Sequence, residues 1–233
     1  MNDSRIITKR IELSAVKPNH TETDIGQLVK LAEKFNCGVV QTLPTNTLLA
    51  RTLIPNDHNI LVGSNIGFPS GAHSTAIKVA ETKEMVNIGC DEIDVVINLP
   101  KFLSHHYNFV LDDLKAVVDH AAGLPVKVII ESDYLTIDQI KKACELLIEA
   151  GAAYVKTSTG WVGAGATLKI ITLIKQHVGN AVKIKASGGI RNLTTILQMM
   201  DLGVERFGIG MTSSLPIFEE ILAYKFDEVY DRK

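Results

Sequence analysis

Strand-like and helix-like segments alternate along this chain, and that order restricts the fold more than any other feature. Short apolar runs stand at residues 10–14, 38–43, 60–66, 92–99, 126–131, 152–156, 181–187 and 205–210. After them come segments with helical apolar spacing, at 24–35, 45–53, 74–88, 107–122, 136–150, 167–177, 193–202 and 214–225. In the first of these, Ile25, Leu28, Val29, Leu31 and Ala32 form the stripe of an amphipathic helix. A strand followed by a crossover helix returns the chain to the same edge, so successive strands run parallel. Eight such units in 233 residues predict an α/β fold, a closed (β/α)8 TIM barrel. No G-x-G-x-x-G follows the first strand, which argues against an open doubly wound sheet.

No Pro/Gly/Ser-rich linker, low-complexity block or charge run divides the chain, so residues 1–233 are expected to form one barrel domain. A formal net charge of -2 gives no reason to expect nucleic acid or an anionic membrane as a partner. The first ten residues carry Asp3, Arg5, Lys9 and Arg10 and lack the apolar centre of a signal peptide, and no apolar run reaches the length of a membrane span. Cys37, Cys90 and Cys144 lie far apart, in neither a disulfide framework nor a zinc-ligand spacing, which points to a reducing cytoplasm.

Reacting groups in such a barrel come from the C-terminal ends of the strands and the loops behind them. The fourth strand carries Asp94 and exits at Asn98. The sixth carries Lys156, followed at once by Thr157, Ser158, Thr159 and Gly160. The seventh carries Lys185, followed by Ser187, Gly188 and Gly189. Asp94, Lys156 and Lys185 stand inside runs that are otherwise apolar. A buried ammonium is costly unless it is paired or gives up its proton. Lys156 therefore snorkels from its strand end, pairs with a carboxylate, or is an amine kept neutral to attack a carbonyl. A free lysine with a pKa near ~10.4 is neutral in only about one molecule in 2,500 at pH 7. Burial and a second cation both lower that pKa, and Lys185 on the adjacent strand supplies the second charge. Reaching ~7 takes roughly 4–5 kcal/mol of differential interaction. A neutral Lys156 would form a carbinolamine and then an imine with an aldehyde, and the protonated imine is an electron sink.

The stretches 66–71 (IGFPSG), 91–98 (DEIDVVIN), 127–131 (KVIIE), 150–152 (AGA), 155–160 (VKTSTG) and 185–191 (KASGGIR) resemble the deoxyribose-phosphate aldolase family, in the same order and over almost the whole chain. The resemblance implies a (β/α)8 barrel and a class I aldolase that works without metal or other cofactor. Such an enzyme reversibly cleaves 2-deoxy-D-ribose 5-phosphate to D-glyceraldehyde 3-phosphate and acetaldehyde, its small-molecule partners. It further implies that Lys156 is the Schiff-base lysine, that Lys185 lowers its pKa, and that Asp94 relays protons through an ordered water. Thr159, Gly160, Ser187, Gly188, Gly189 and Gly210 would hold the substrate and its phosphate, supported by Glu12, Ser14 and Asn98. A homodimer is expected, as is common for such barrels.

Several positions depart from the family pattern. Gly210 and Met211 stand where members usually carry adjacent serines, unless the loop shifts toward Ser213 and Ser214. The usual Asp and Thr of the first strand are Glu12 and Ser14, and a frequent cysteine on the second is Gln41. Asn98-Leu99-Pro100 replaces I-N-x-G, and Trp161 stands where Phe is common. The altered eighth loop leaves a second reading, a Schiff-base aldolase of the same fold with a different or unphosphorylated aldehyde substrate. His73, His105 and His106 lack spaced ligand partners, so no metal site is expected. Lys127 and Lys183 begin their strands and are expected to be solvated, and Asp112-Asp113 and Glu219-Glu220 read as exposed helix faces. Tyr230, in the polar tail at 226–233, is not expected to reach the site.

Overall fold

Eight parallel strands close on one another in chain order, the first pairing with the eighth, in a computed structural model that describes residues 4–54 and 59–224. The order is α1 (Ser4–Thr8), β1 (Ile11–Ala15), α2 (Glu22–Lys34), β2 (Val39–Thr42), α3 (Pro44–Leu53), β3 (Leu61–Ile66), α4 (Thr75–Ile88) and β4 (Glu92–Val96). There follow α5 (Leu99–Leu103), α6 (Tyr107–His120), β5 (Val126–Ile129), α7 (Ile137–Glu149), β6 (Tyr154–Lys156), α8 (Leu168–Val178), β7 (Lys183–Ser187), α9 (Leu193–Asp201), β8 (Arg206–Gly210) and α10 (Met211–Ala223). The predicted barrel is therefore present, and eight strand–helix units build it. Tyr230 lies outside the described residues.

Local chemistry sets the helix starts. Thr21 with Asp24 and Thr136 with Gln139 form capping boxes at α2 and α7, each satisfying backbone N–H groups the helix leaves open. Thr167 and Asn192 cap α8 and α9 through their side chains. The short helices α1 and α5 were not legible, since five residues hold too little periodicity to read. The fourth strand ends at Val96, because Asn98 caps α5 with its side chain and Pro100 sits in the first turn, where a missing N–H costs nothing.

Alternation along the strands separates two interiors. Val40, Val62, Val95, Val128 and Val155 belong to the apolar core that also holds the helix stripes, including Ile25, Leu28, Val29 and Ala32. The residues between them face the barrel axis, and there Glu12, Glu92, Asp94, Lys127 and Lys185 are buried beside Val39, Val96 and Ile129. Barrel interiors are ordinarily layered with branched apolar side chains, so this one spends its centre on charge.

Among the described residues one fully buried ion pair lies outside the barrel. Lys78 of α4 and Asp113 of α6 meet at 2.6 Å with both side chains fully buried, and Lys78 also donates to the Val96 carbonyl at 2.9 Å. Asp113 is thus not part of an exposed face, as its neighbour Asp112 had suggested; Thr75 Oγ1 donates to it as well, at 2.7 Å. Lys78→Met would leave the Asp113 carboxylate buried without its cation. A loss of about 3–5 kcal/mol is expected, read as a lower urea midpoint at unchanged m-value.

Candidate active site

Lys156 ends the short strand β6 and is only 5% exposed. Its Nζ donates to Asp94 Oδ2 at 2.7 Å, and the same oxygen accepts from Lys185 Nζ at 2.6 Å. Lys156 and Lys185 are register partners on β6 and β7, so both reach inward at one level of the barrel. Lys185 also pairs with Glu12 Oε2 on β1. It can cross to that strand because β8, which lies between, has Gly208 there: an added Cβ would fall 2.9 Å from Ser187 Cβ and 3.5 Å from Lys185 Cε.

The network continues below. Lys127 Nζ lies 3.0 Å from Glu12 Oε1 and 3.5 Å from Asp94 Oδ1, and it also pairs with Glu92, which takes Arg206 Nη2 at 3.2 Å. Lys127 is therefore buried in the barrel, not solvated at its rim. It is the register partner of Asp94, and that inward position puts its amine among three carboxylates. Lys183, by contrast, is exposed beside Glu205.

Charge counting identifies the odd member. Among the described residues Lys127, Lys156, Lys185 and Arg206 face Glu12, Glu92 and Asp94, four cations against three carboxylates. The cluster balances if one amine is neutral. Burial pushes Lys156 down to about 8; Asp94 pulls it up and Lys185 adds to the lowering. For Lys127 burial acts downward too, but Glu12, Asp94 and Glu92 more than reverse it and hold it above the ordinary lysine value. Burial alone would raise Asp94, yet Lys156, Lys185 and Lys127 hold its carboxyl well below the usual range. Burial and charge thus move the two amines in opposite directions, Lys156 down and Lys127 up. At a pKa of about 8 roughly one molecule in ten is neutral at pH 7.

Glu131, to which sequence reasoning assigned no role, holds the loop that follows Lys156. It stands in the left-handed region at φ 51, two residues after β5, and accepts from Ser158 Oγ and Thr159 Oγ1, each at 2.5 Å, and from Thr159 N at 3.2 Å. Thr157 Oγ1 joins β7, donating to the Ser187 carbonyl and accepting from Ser187 N, both at 2.9 Å. The available signal was a carboxylate at the end of an apolar strand, across from a run of hydroxyls.

Above Lys156 and Lys185 opens a cavity of about 390 Å³. Glu12, Ser14, Gln41, Lys156 and Lys185 line it, with Thr159, Gly160, Ser187, Gly188, Gly189 and residues 210–213 around the mouth. Asp94 is fully buried and is in contact with both amines. Gly188 and Gly189 have φ of 80 and 73, and a Cβ on Gly189 would fall 2.0 Å from the Ala164 carbonyl oxygen, so this turn admits only glycine. The segment after β8 is no loop. Gly210 caps α10 without a side-chain bond, the helix begins at Met211, three residues ahead of the predicted start, and Thr212 and Ser213 bring hydroxyls to the cavity from its first turn. Backbone N–H groups and the helix dipole there suit an anion. Ser214 is buried, with Oγ on the Met211 carbonyl at 2.8 Å.

Asn98 is not among the residues lining the cavity. Its Oδ1 accepts from Lys101 N and its Nδ2 donates to the His73 carbonyl, each at 3.3 Å, so its side chain fixes the turn into α5. Trp161 stands at the mouth with Nε1 on the Val16 carbonyl at 3.1 Å, and Lys17 Nζ lies 4.9 Å from its ring centre. Among the described residues no three His, Cys, Asp or Glu side chains gather as a metal site, and no helix is long and apolar enough to cross a membrane.

Residues 2–220 match the model of the DeoC/LacD family aldolase. The chain is 41% identical over 219 residues to a deoxyribose-phosphate aldolase of Rhizobium meliloti, covering 94% of this chain and 88% of that protein. It is 44% identical over 200 residues to deoxyribose-phosphate aldolase 1 of Staphylococcus aureus, covering 86% and 90%. Among solved structures it is similar to the deoxyribose phosphate aldolase of Aeropyrum pernix, described as tetrameric, with TM-score 0.85, 26% identity and coverage of 96% of this chain and 94% of that one.

Proposed function

Because the chain belongs to the DeoC/LacD family of aldolases, we propose that it is a class I aldolase that reversibly cleaves 2-deoxy-D-ribose 5-phosphate to D-glyceraldehyde 3-phosphate and acetaldehyde. The observation that carries this reading is the single Asp94 oxygen shared by Lys156 and Lys185 beneath the cavity. The neutral Lys156 amine attacks C1 of the open-chain sugar and gives a carbinolamine, which loses water to a protonated imine. The C3 hydroxyl then gives up its proton, the C2–C3 bond breaks, and its electrons pass into the imine to leave an enamine on Lys156. D-glyceraldehyde 3-phosphate departs; protonation of the enamine at C2 and hydrolysis release acetaldehyde and the free amine. Asp94, in contact with both amines, relays the protons through water, and Lys185 keeps the nucleophile's pKa low.

Phosphate binding falls to the turn at 187–189 and to the first turn of α10, with Thr159 and Gly160 across from them and Glu12 and Ser14 supporting the base of the cavity. On this assignment Gly189→Ala, which forces the turn off the Ala164 carbonyl, is expected to raise KM for the phosphorylated sugar about tenfold or more. Steady-state comparison with unphosphorylated 2-deoxyribose checks it, since the plain sugar should lose less. A cytoplasmic setting agrees with three free, buried cysteines whose thiols burial pushes up to about 12. The assembly is read as a homodimer, and light scattering would distinguish it from a tetramer.

The deciding experiment is borohydride reduction in the presence of 2-deoxyribose 5-phosphate, beside 2-deoxyribose, followed by peptide mass spectrometry. A stable adduct on the Lys156 peptide, formed far better with the phosphorylated sugar, is the expected result. Equal labelling by both sugars would move the substrate elsewhere, and no labelling would remove the imine mechanism.

A further inference from the structure

Gln41 is an inward-facing residue of β2, 2% exposed, that lines the same cavity as Lys156 and Lys185. Its carboxamide rests over Gly63 of β3, where an added Cβ would come within 2.1 Å of Oε1, so a glycine there is what seats the amide. Among the described residues neither its Nε2 nor its Oε1 has a hydrogen-bond partner. A buried amide in that condition is costly unless something completes it. Two polar side chains on the adjacent strand β1 are already engaged. The oxygens of Glu12 face Lys185 and Lys127, and Ser14 Oγ donates to the Ile209 carbonyl at 3.2 Å. Gln41 thus presents a donor and an acceptor side by side, and a hydroxyl answers both, accepting from Nε2–H and donating to Oε1.

Position selects which hydroxyl. Gln41 is the register partner of Ser14, and Ser14 lies two residues nearer the mouth than Glu12, the residue that touches Lys185. A substrate held at Lys156 with its phosphate at the mouth passes this level between the bond that breaks and the phosphate. The C3 oxygen must surrender its proton to the ionic cluster below, so the next oxygen outward is that on C4. We propose that Gln41 binds the C4 hydroxyl of the sugar phosphate and thereby sets which acceptor aldehyde the reverse reaction takes. The proposal rests on the aldolase reading above.

In the synthetic direction that hydroxyl is the 2-hydroxyl of glyceraldehyde 3-phosphate, and 3-phosphooxypropanal lacks it. The test is kcat/KM for acetaldehyde addition to each acceptor, in the wild type and in Gln41→Met, whose side chain has similar length and no polar hydrogen. The wild type should prefer the hydroxylated acceptor about tenfold or more. Gln41→Met should lose at least about tenfold on that acceptor while staying within about twofold on 3-phosphooxypropanal. No preference in the wild type, the same preference in the variant, or equal loss on both acceptors would overturn the assignment; the acceptor comparison also serves as the control for folding. Borohydride labelling of Lys156 by 2-deoxyribose 5-phosphate is run on the wild type in parallel. Labelling combined with an unchanged preference overturns the Gln41 assignment alone, whereas absence of labelling overturns the aldolase reading beneath it.

Discussion

Lys156→Met is expected to abolish borohydride labelling and to lower cleavage of 2-deoxyribose 5-phosphate by at least about four orders of magnitude, some ~5.5 kcal/mol of transition-state stabilisation. No neighbour replaces it. Lys185 pairs with both Glu12 and Asp94, and Lys127 lies deeper with Glu12, Glu92 and Asp94 around it, so neither amine is freed to form the imine. The same substitution makes an opposite prediction for stability. Lys156 is the fourth cation against three carboxylates, and Asp94 keeps Lys185 and Lys127 after its loss. The denaturation midpoint of Lys156→Met should therefore stay unchanged or rise, whereas Lys78→Met, which strips a single buried carboxylate of its cation, lowers it. A Lys156→Met protein that still cleaves at a tenth of the normal rate would sink the mechanism. One that unfolds as readily as Lys78→Met would sink the charge count behind it.

The repeating order of the chain was enough to predict the barrel, because each strand–helix unit states its own period and eight of them close. It also exposed Asp94, Lys156 and Lys185, since a charge inside an apolar run stands out. Lys127 stood out equally and was misread. Near a strand start it had an apparent route to solvent, and only the barrel's register shows that it turns inward beside Asp94. Asp113 misled in a similar way, because its partner Lys78 is 35 residues away on another helix and no local pattern links the two. Glu131 and Gly208 went unread for a further reason. One acts on a loop that a different strand delivers, and the other acts by having no side chain between Lys185 and Glu12. Sequence patterns report what faces water or a helix, whereas pairing across a barrel axis is set by register and shear. The eighth segment shows the same limit at a boundary. Met211 and Thr212 gave no helical signal, yet α10 begins at Met211 and places Thr212 and Ser213 at the cavity, where a loop shifted toward Ser213 and Ser214 had been weighed.

Lys185→Leu should act through Lys156, and its signature is a pH profile. Both amines donate to one Asp94 oxygen, which puts the two charges no more than about 5 Å apart; at an effective dielectric near ~20 their repulsion is about 3 kcal/mol. Without Lys185 that repulsion is gone, and Asp94 is left closer to Lys156's exclusive partner. Both changes favour the Lys156 ammonium, so its pKa moves up from about 8 by roughly two units. The neutral amine is the reactive form, hence the acidic limb of kcat/KM shifts to higher pH. Cleavage at pH 7 should fall about a hundredfold, and the deficit should shrink to about fiftyfold at pH 8, about tenfold at pH 9 and about twofold at pH 10. Lys185→Arg keeps a cation beside Asp94 and should leave the limb near its original place. A residue that only packed the barrel would behave differently, because Lys185→Leu would then lower the rate by one factor at every pH. A Lys185→Leu limb that does not move, with the rate still depressed, would remove Lys185 as the source of the second charge.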